Sequence, residues 1–273
     1  MKRSFFPRAS ATLAVNANLI WGMHAVRAAW LNPKRTCKRL WLTEGAAQEL
    51  AETFAHAAKA KLPRPEPRLT DRAEMDRMLP AGSVHQGVIV DVAPLPEVTL
   101  DNLVAPLSGQ EPPRLLLALD QVTDPRNVGA ILRSAAALGA GAILVTERHA
   151  PGLTGVMAKA ASGALEVVPI VAVVNLARAL EILGRANYLR VGLAEEGALR
   201  LEDLDLGERV VLVLGAEGEG LRRLTRERCD HLVHLPTRGP IGSLNVSNAA
   251  AIALYEAQRS REGGTTSSQH PIR

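Results

Sequence analysis

The sequence predicts an α/β protein in two parts: a C-terminal, mainly parallel sheet with helices on both faces, and a smaller mixed α/β domain before it. Three observations carry this. After residue 115, short uninterrupted apolar runs alternate with helix-like stretches, the pattern of strands buried on both faces. Residues 93–114 hold five prolines (Pro94, Pro96, Pro106, Pro112, Pro113) and read as an interdomain linker. The chain has 273 residues, enough for two cores, with 47% hydrophobic and 22% charged residues, an ordinary balance for a soluble globular protein.

The elements follow in order. Residues 1–17 form a basic arm, and 18–92 the small domain, with helices expected near Ala25–Leu31 and Gly45–Lys61 and a strand at Gly87–Val92. Between those helices and that strand, Leu62-Pro63-Arg64-Pro65-Glu66-Pro67 reads as an extended loop, because alternating prolines forbid a helix. The catalytic candidate spans 115–260. Leu115–Leu119 fits a buried strand, and Asn127–Leu138 a helix with Asn127 as N-cap and Gly139 closing it. Ala142–Val145, Leu165–Val171, Tyr188–Leu193 and Val210–Leu214 are further strands, Leu176–Leu183 a helix, and 249–258 an Ala-rich helix. Residues 261–273 are rich in Gly, Ser and Thr and read as a disordered tail.

Composition narrows the function classes. The net charge is +4, yet residues 1–43 contain eight Lys or Arg and no acid, which suits a polyanionic partner or a solvated basic face. Aromatics make up 3%, so cores must be largely aliphatic and a base-stacking platform is disfavoured. Cys37 and Cys229 are far apart and lack metal-ligand spacing, as expected of free thiols in a reducing compartment. No apolar run reaches the roughly 18 residues of a membrane span, and no His, Cys or carboxylate cluster has metal spacing. A cytoplasmic protein is expected, with an organelle transit peptide the lesser reading of the basic start.

Three segments carry the chemistry. The strand at Val210 runs directly into Gly215-Ala216-Glu217-Gly218-Glu219-Gly220-Leu221. In an open α/β sheet, ligands bind beyond the carboxyl ends of strands, and glycines let the backbone approach them. The spacing matches neither the dinucleotide nor the P-loop fingerprint, and Glu217 and Glu219 would repel a pyrophosphate. An adenosyl ligand with a cationic sulfonium fits better; a simple tight turn is the bland alternative. The second segment runs Leu235-Pro236-Thr237-Arg238-Gly239-Pro240-Ile241-Gly242-Ser243-Leu244-Asn245-Val246-Ser247-Asn248. Ser247 or Asn248 can cap the helix that follows, which leaves Ser243 and Asn245 without a structural role. The third is Asp124-Pro125-Arg126-Asn127 through Arg133. Arg133 lies six residues up the helix, about 9 Å along the axis, and long helical side chains lean back toward the N-terminus.

Taken together and in order, these segments resemble the SpoU (TrmH) branch of the SPOUT methyltransferases over residues 115–259. Trp21-Gly22-Met23-His24-Ala25-Val26 and Val84-His85-Gln86-Gly87-Val88 resemble the two ends of that family's substrate-binding domain, itself similar to ribosomal protein L30e. The resemblance implies a trefoil knot, S-adenosyl-L-methionine held by Gly215, Leu235 and Leu244, and a homodimer. It also implies a catalytic set of Arg133, Asn127, Glu217, Ser243 and Asn245, and no metal. The implied reaction is methylation of a ribose 2′-hydroxyl in RNA, most similar to members acting on a guanosine of 23S rRNA.

Such a transfer needs the hydroxyl aligned, its proton removed and the developing charge stabilised. Positioning of the 2′-oxygen or the adjacent phosphate falls to Arg133, with Asn127, Ser243 and Asn245 fixing geometry and Glu217 orienting Arg133, Asn127 or the loop. The family role of Arg133 as general base is chemically awkward, because a guanidinium keeps its proton in proteins. His24 and His85 read as structural or RNA-contacting, and Arg222, Arg223, Arg226 and Arg228 as a basic stretch that meets the RNA backbone or merely solvates the surface, the RNA reading being favoured. The rival readings are the same chemistry on tRNA, a non-catalytic RNA-binding factor that keeps the fold, and a nicotinamide-dependent oxidoreductase.

Overall fold

The computed structural model describes residues 18–105, 110–148, 154–240 and 242–264; the basic arm and the tail beyond residue 264 lie outside them. The chain begins with β1 (Leu19–Trp21), α1 (Met23–Leu31), β2 (Cys37–Leu42), α2 (Glu44–Glu49), α3 (Ala51–Lys59), β3 (Pro67–Leu69), α4 (Arg72–Met78) and β4 (Val88–Val92). It continues with α5 (Leu100–Val104), β5 (Leu115–Asp120), α6 (Pro125–Ala137), β6 (Ala142–Thr146), α7 (Gly155–Ala161) and β7 (Ile170–Val173). The last elements are α8 (Leu176–Arg185), β8 (Leu189–Leu193), β9 (Leu199–Arg200), β10 (Val210–Gly215), α9 (Arg223–Glu227), β11 (His231–His234) and α10 (Val246–Gly264). These form two compact units: residues 1–96 with 152–166, and residues 97–151 with 167–273.

In the first unit a four-stranded sheet has the order β1-β4-β2-β3. Its core gathers Leu19, Trp21, Trp41, Met75, Leu79 and Ile89. The sequence led us to expect aliphatic cores, yet all three tryptophans, Trp21, Trp30 and Trp41, are buried in this unit. The few aromatics are concentrated rather than spread. The two sequence segments at its ends meet: Trp21 pairs with Ile89, and the Met23 amide donates to Gln86 Oε1 at 3.1 Å. His85 is part of that turn, accepting from the Gly87 amide through Nδ1 and facing Asp76 through Nε2. Its ring is buried there. The expected single helix over 45–61 is two, α2 and α3, meeting at Leu50 with φ −92° and ψ 3°.

The strand expected at Leu165–Val171 is displaced, and the cause is tertiary. Residues 152–166 belong to the first unit. Gly155 lies against the Trp21 ring so closely that a Cβ would come within 1.8 Å of it. Ser162 and Gly163 take left-handed φ, and Ala164–Glu166 form one 3₁₀ turn. Glu166 then enters a buried cluster: Arg35 donates to it through Nε and Nη2 at 2.7 to 3.1 Å, and Asn32 Nδ2 at 2.7 Å. Both charged side chains are 4% exposed. Strand β7 starts only after Pro169, which has no N–H to give to a ladder.

The second unit contains a wholly parallel seven-stranded sheet in the order β7-β6-β5-β10-β8-β11-β9. On one face Leu116, Ala118, Leu144, Val211 and Val213 pack with Leu176, Leu180 and Leu183 of α8. The alternate residues Leu115, Leu117, Leu212 and Leu214 are equally buried, on the side where α10 packs against β10 and α6. Part of the Pro-rich stretch joins this unit, since α5 places Leu103 in the first of these cores. At its far end Tyr188 donates its hydroxyl to the Pro113 carbonyl at 2.5 Å. Helix α10 is longer than expected at both ends and runs four residues into the stretch read as tail.

Candidate active site

The register of the parallel sheet sets the site. Strands β5 and β10 are neighbours, with Gly215 opposite Asp120, so the Gly-rich loop and the turn into α6 leave the sheet side by side. The loop closes on itself. The Gly220 amide donates to the Ala216 carbonyl at 2.9 Å, and Gly218 and Gly220 have φ of 82° and 65°. At Gly215 a Cβ would lie 2.1 Å from the Gly220 carbonyl carbon, so the narrow neck of the loop has no room for a side chain.

A polar cluster joins the three sequence segments. Asn127 Nδ2 donates to Glu217 Oε1 at 3.0 Å, and Asn245 Nδ2 donates to the same oxygen at 2.5 Å and to Asn127 Oδ1 at 3.1 Å. The Val246 amide approaches Glu217 Oε1 at 3.4 Å. Two capping expectations change as a result. Asp124, not Asn127, caps α6, accepting from the Arg126 amide at 2.8 Å, and Pro125 takes the first helical position. Asn127 is thereby free for the cluster. At α10 the cap is Asn245, whose Oδ1 accepts from the Ser247 amide at 2.9 Å and hydroxyl at 2.6 Å. One side chain thus starts the helix with its oxygen and binds Glu217 with its nitrogen.

Beside this cluster lies a cavity of about 790 Å³. It is lined by Gly215, Leu235 and Leu244, the three expected cofactor contacts, and by Glu217, Ser243 and Asn245. Asn127 reaches it through Glu217. Arg133 is not among the lining residues. It is exposed on α6 and has no hydrogen bond or ion pair among the described residues, so of the partners expected for Glu217 the structure provides Asn127. Two leucines and a run of backbone suit an adenosyl moiety. The acids suit a cation: Glu195, Glu196, Glu217 and Glu219 line the cavity against one guanidinium, Arg226, which is bound to Glu196. A backbone N–H and then Arg226 hold the Glu196 carboxyl below its ordinary range. Among the described residues no group of three or more His, Cys, Asp or Glu could hold a metal.

Sequence reasoning missed Asp120. It is the last residue of an otherwise apolar strand and fully buried, yet it accepts from the Arg222 amide at 3.0 Å and from Arg222 Nε at 2.7 Å. This pair fixes the exit of the Gly-rich loop to the strand leading into α6. The only sequence signal was an acid ending a buried run. The basic stretch reads differently in the structure. Arg222 binds Asp120, Arg223 binds Glu227, Arg226 binds Glu196 and Arg228 binds Glu181. Each of its four arginines is thus paired with a carboxylate.

Comparison with known proteins gives a consistent picture. Residues 114–255 match the model of the SpoU rRNA Methylase family, and residues 19–98 that of the RNA 2'-O ribose methyltransferase substrate binding domain. The 23S rRNA (guanosine-2'-O-)-methyltransferase RlmB of Pseudomonas putida is 44% identical over 89% of this chain and 96% of its own length. The protein of the same name from Coxiella burnetii is 38% identical over the same shares. Among solved structures, the SpoU methyltransferase AviRb of Streptomyces viridochromogenes in complex with the cofactor AdoMet superposes with a TM-score of 0.72. It is 25% identical, and the match covers 93% of this chain and 94% of that one.

Proposed function

The chain belongs to the SpoU rRNA methylase family, and on that premise we propose how its residues methylate a guanosine ribose 2′-hydroxyl of 23S rRNA with S-adenosyl-L-methionine. One observation carries the reading: Asn127, Glu217 and Asn245, from three separate segments, meet at the wall of a cavity lined by Gly215, Leu235 and Leu244. S-adenosyl-L-methionine supplies an electrophilic methyl group on a sulfonium. Gly215, Leu235 and Leu244 hold its adenosyl part through backbone and apolar contact. The carboxylates of the cavity favour its positive charge over a phosphate-bearing ligand.

Glu217 keeps the loop, Asn127 and Asn245 in one arrangement, with neutral amides as partners, so its own charge stays at the site. Ser243, exposed at the mouth, orients the substrate by hydrogen bonding. Arg133 grips the 2′-oxygen or the neighbouring phosphate, and with no hydrogen bond or ion pair among the described residues its guanidinium is open to an anionic ligand. Residues 18–92 act as the RNA-recruiting domain, with 93–114 linking it to the catalytic domain. A homodimer completes the site and contains the knot that the family resemblance implies; the exposed Ile252 and Tyr255 provide apolar surface for the partner. We place the protein in the cytoplasm; no described helix is long and apolar enough to cross a membrane.

The test is transfer of labelled methyl from S-adenosyl-L-methionine to purified, unmodified 23S rRNA and to tRNA, with the modified position mapped. A single 2′-O-methylguanosine in 23S rRNA is expected. Label in tRNA alone would move the substrate to the tRNA class, and label in neither would remove the enzyme reading.

A further inference from the structure

An RNA that reaches the cavity must meet cations beside it, and the four arginines from 222 to 228 are neutralised by their carboxylates. Helix α6 is the opposite case. Its sequence from Pro125 to Ala137 contains no acid and two arginines, Arg126 and Arg133. Both are exposed, and neither side chain has a hydrogen bond or ion pair among the described residues. The one nearby carboxylate in sequence, Asp124, is engaged by the Arg126 backbone amide. Seven residues at about 100° each return to nearly the same direction, so the two arginines stand on one face, roughly 10 Å apart along the axis. Between them on that face lies the half-buried Ala130, too small to hold a polymer off the helix, while Gly129 turns toward the buried side.

We propose that Arg126 is a second contact for the RNA backbone, acting with Arg133 along this face of α6, and that the arginines of 222–228 are not such contacts. The separation is about the rise of three nucleotides at about 3.4 Å each. The substrate's ribose–phosphate chain would thus lie along α6, with the reactive ribose at Arg133 and a flanking phosphate at Arg126. This deepens the methyltransferase reading and rests on it for the identity of the RNA.

The experiment is anisotropy of a fluorescein-labelled hairpin RNA against salt concentration, for the wild type, Arg126→Gln, Arg126→Lys, Arg223→Gln and Arg228→Gln. Loss of one phosphate contact lowers the slope of log affinity against log salt by roughly 0.7 to 0.9. Arg126→Gln is expected to show that drop, with RNA affinity down about tenfold at low salt and S-adenosylhomocysteine affinity unchanged. Arg126→Lys should restore the slope, and the other two variants should match the wild type. In turnover, Arg126→Gln should raise KM for RNA far more than it lowers kcat. An unchanged slope in Arg126→Gln, or an equal drop in Arg223→Gln or Arg228→Gln, would overturn the proposal. If the wild type methylates no RNA, the enzyme reading fails, while the slopes still decide where the backbone binds.

Discussion

Glu166 and Glu217 each draw side chains from distant parts of the sequence, yet they do so under opposite conditions. Glu166, in the first unit, is closed off from water and answered by the charge of Arg35 and by Asn32. Glu217, in the second, is exposed and, among the described residues, answered only by neutral amides and a backbone N–H. A buried ion pair cannot lose one partner without leaving the other charge stranded in a medium that solvates it poorly. An exposed carboxylate among amides loses little stability when removed, but its charge and geometry remain available to a ligand. The first cluster therefore fixes a fold, and the second, on the proposed function, prepares a reaction.

Several substitutions would break or sharpen that contrast. The largest expected effect is on the reaction side. Arg133→Ala should abolish methyl transfer, by more than about 1000-fold in single-turnover assays, while calorimetry finds S-adenosylhomocysteine affinity within about twofold of wild type. Equal loss of cofactor binding would show that Arg133 belongs to the cofactor pocket. Next, on the fold side, Glu166→Ala should cost about 3–5 kcal/mol in denaturant unfolding of the first unit. Replacing Arg35 and Glu166 together with Met and Leu should recover most of it. Glu217→Ala inverts the pattern, with a rate loss on the order of 100-fold and a stability change below about 1 kcal/mol. Unfolding on a par with Glu166→Ala would erase the distinction.

Smaller effects test the supports of the site. Asp120→Asn removes the charge that anchors Arg222, and the loop bearing Glu217 should loosen. The expected signature is a several-fold rise in KM for S-adenosyl-L-methionine, with about 1–3 kcal/mol of stability lost. The smallest effect is an absence of reaction. Burial, reinforced by Asp230, pushes the Cys229 thiol up to about 12, and burial also raises Cys37. Both should resist iodoacetamide at pH 8 in the folded protein and react once it is unfolded, as counted by mass spectrometry.

What the sequence disclosed, and what it hid, follows from the range of the interactions. Strands β5, β6 and β10 were legible because an apolar run is a local signal and all three are buried on both faces, and the half-buried β8 still carries an apolar run. The likeness of three ordered segments to a known family brought Gly215, Leu235 and Leu244 together, and in the structure they do line one cavity. The illegible features depend on partners far along the chain. The carboxylates that neutralise Arg222 and Arg228 come from β5 and α8, and the cluster that diverts Glu166 from a strand comes from residues 32 and 35. Asn127 looked like a cap because a cap needs only local sequence; the Glu217 contact that reassigns it spans 90 positions.

The central claim is that the Gly-rich loop and the Ser243-Leu244-Asn245 stretch together enclose the methyl donor, and a crystal structure grown with S-adenosylhomocysteine tests it most directly. The account predicts the nucleoside in the cavity against Gly215, Leu235 and Leu244, its sulfur facing the side of Glu217 and Asn245. Density for the ligand elsewhere on the protein, or a loop and a stretch that move apart when it binds, would contradict it.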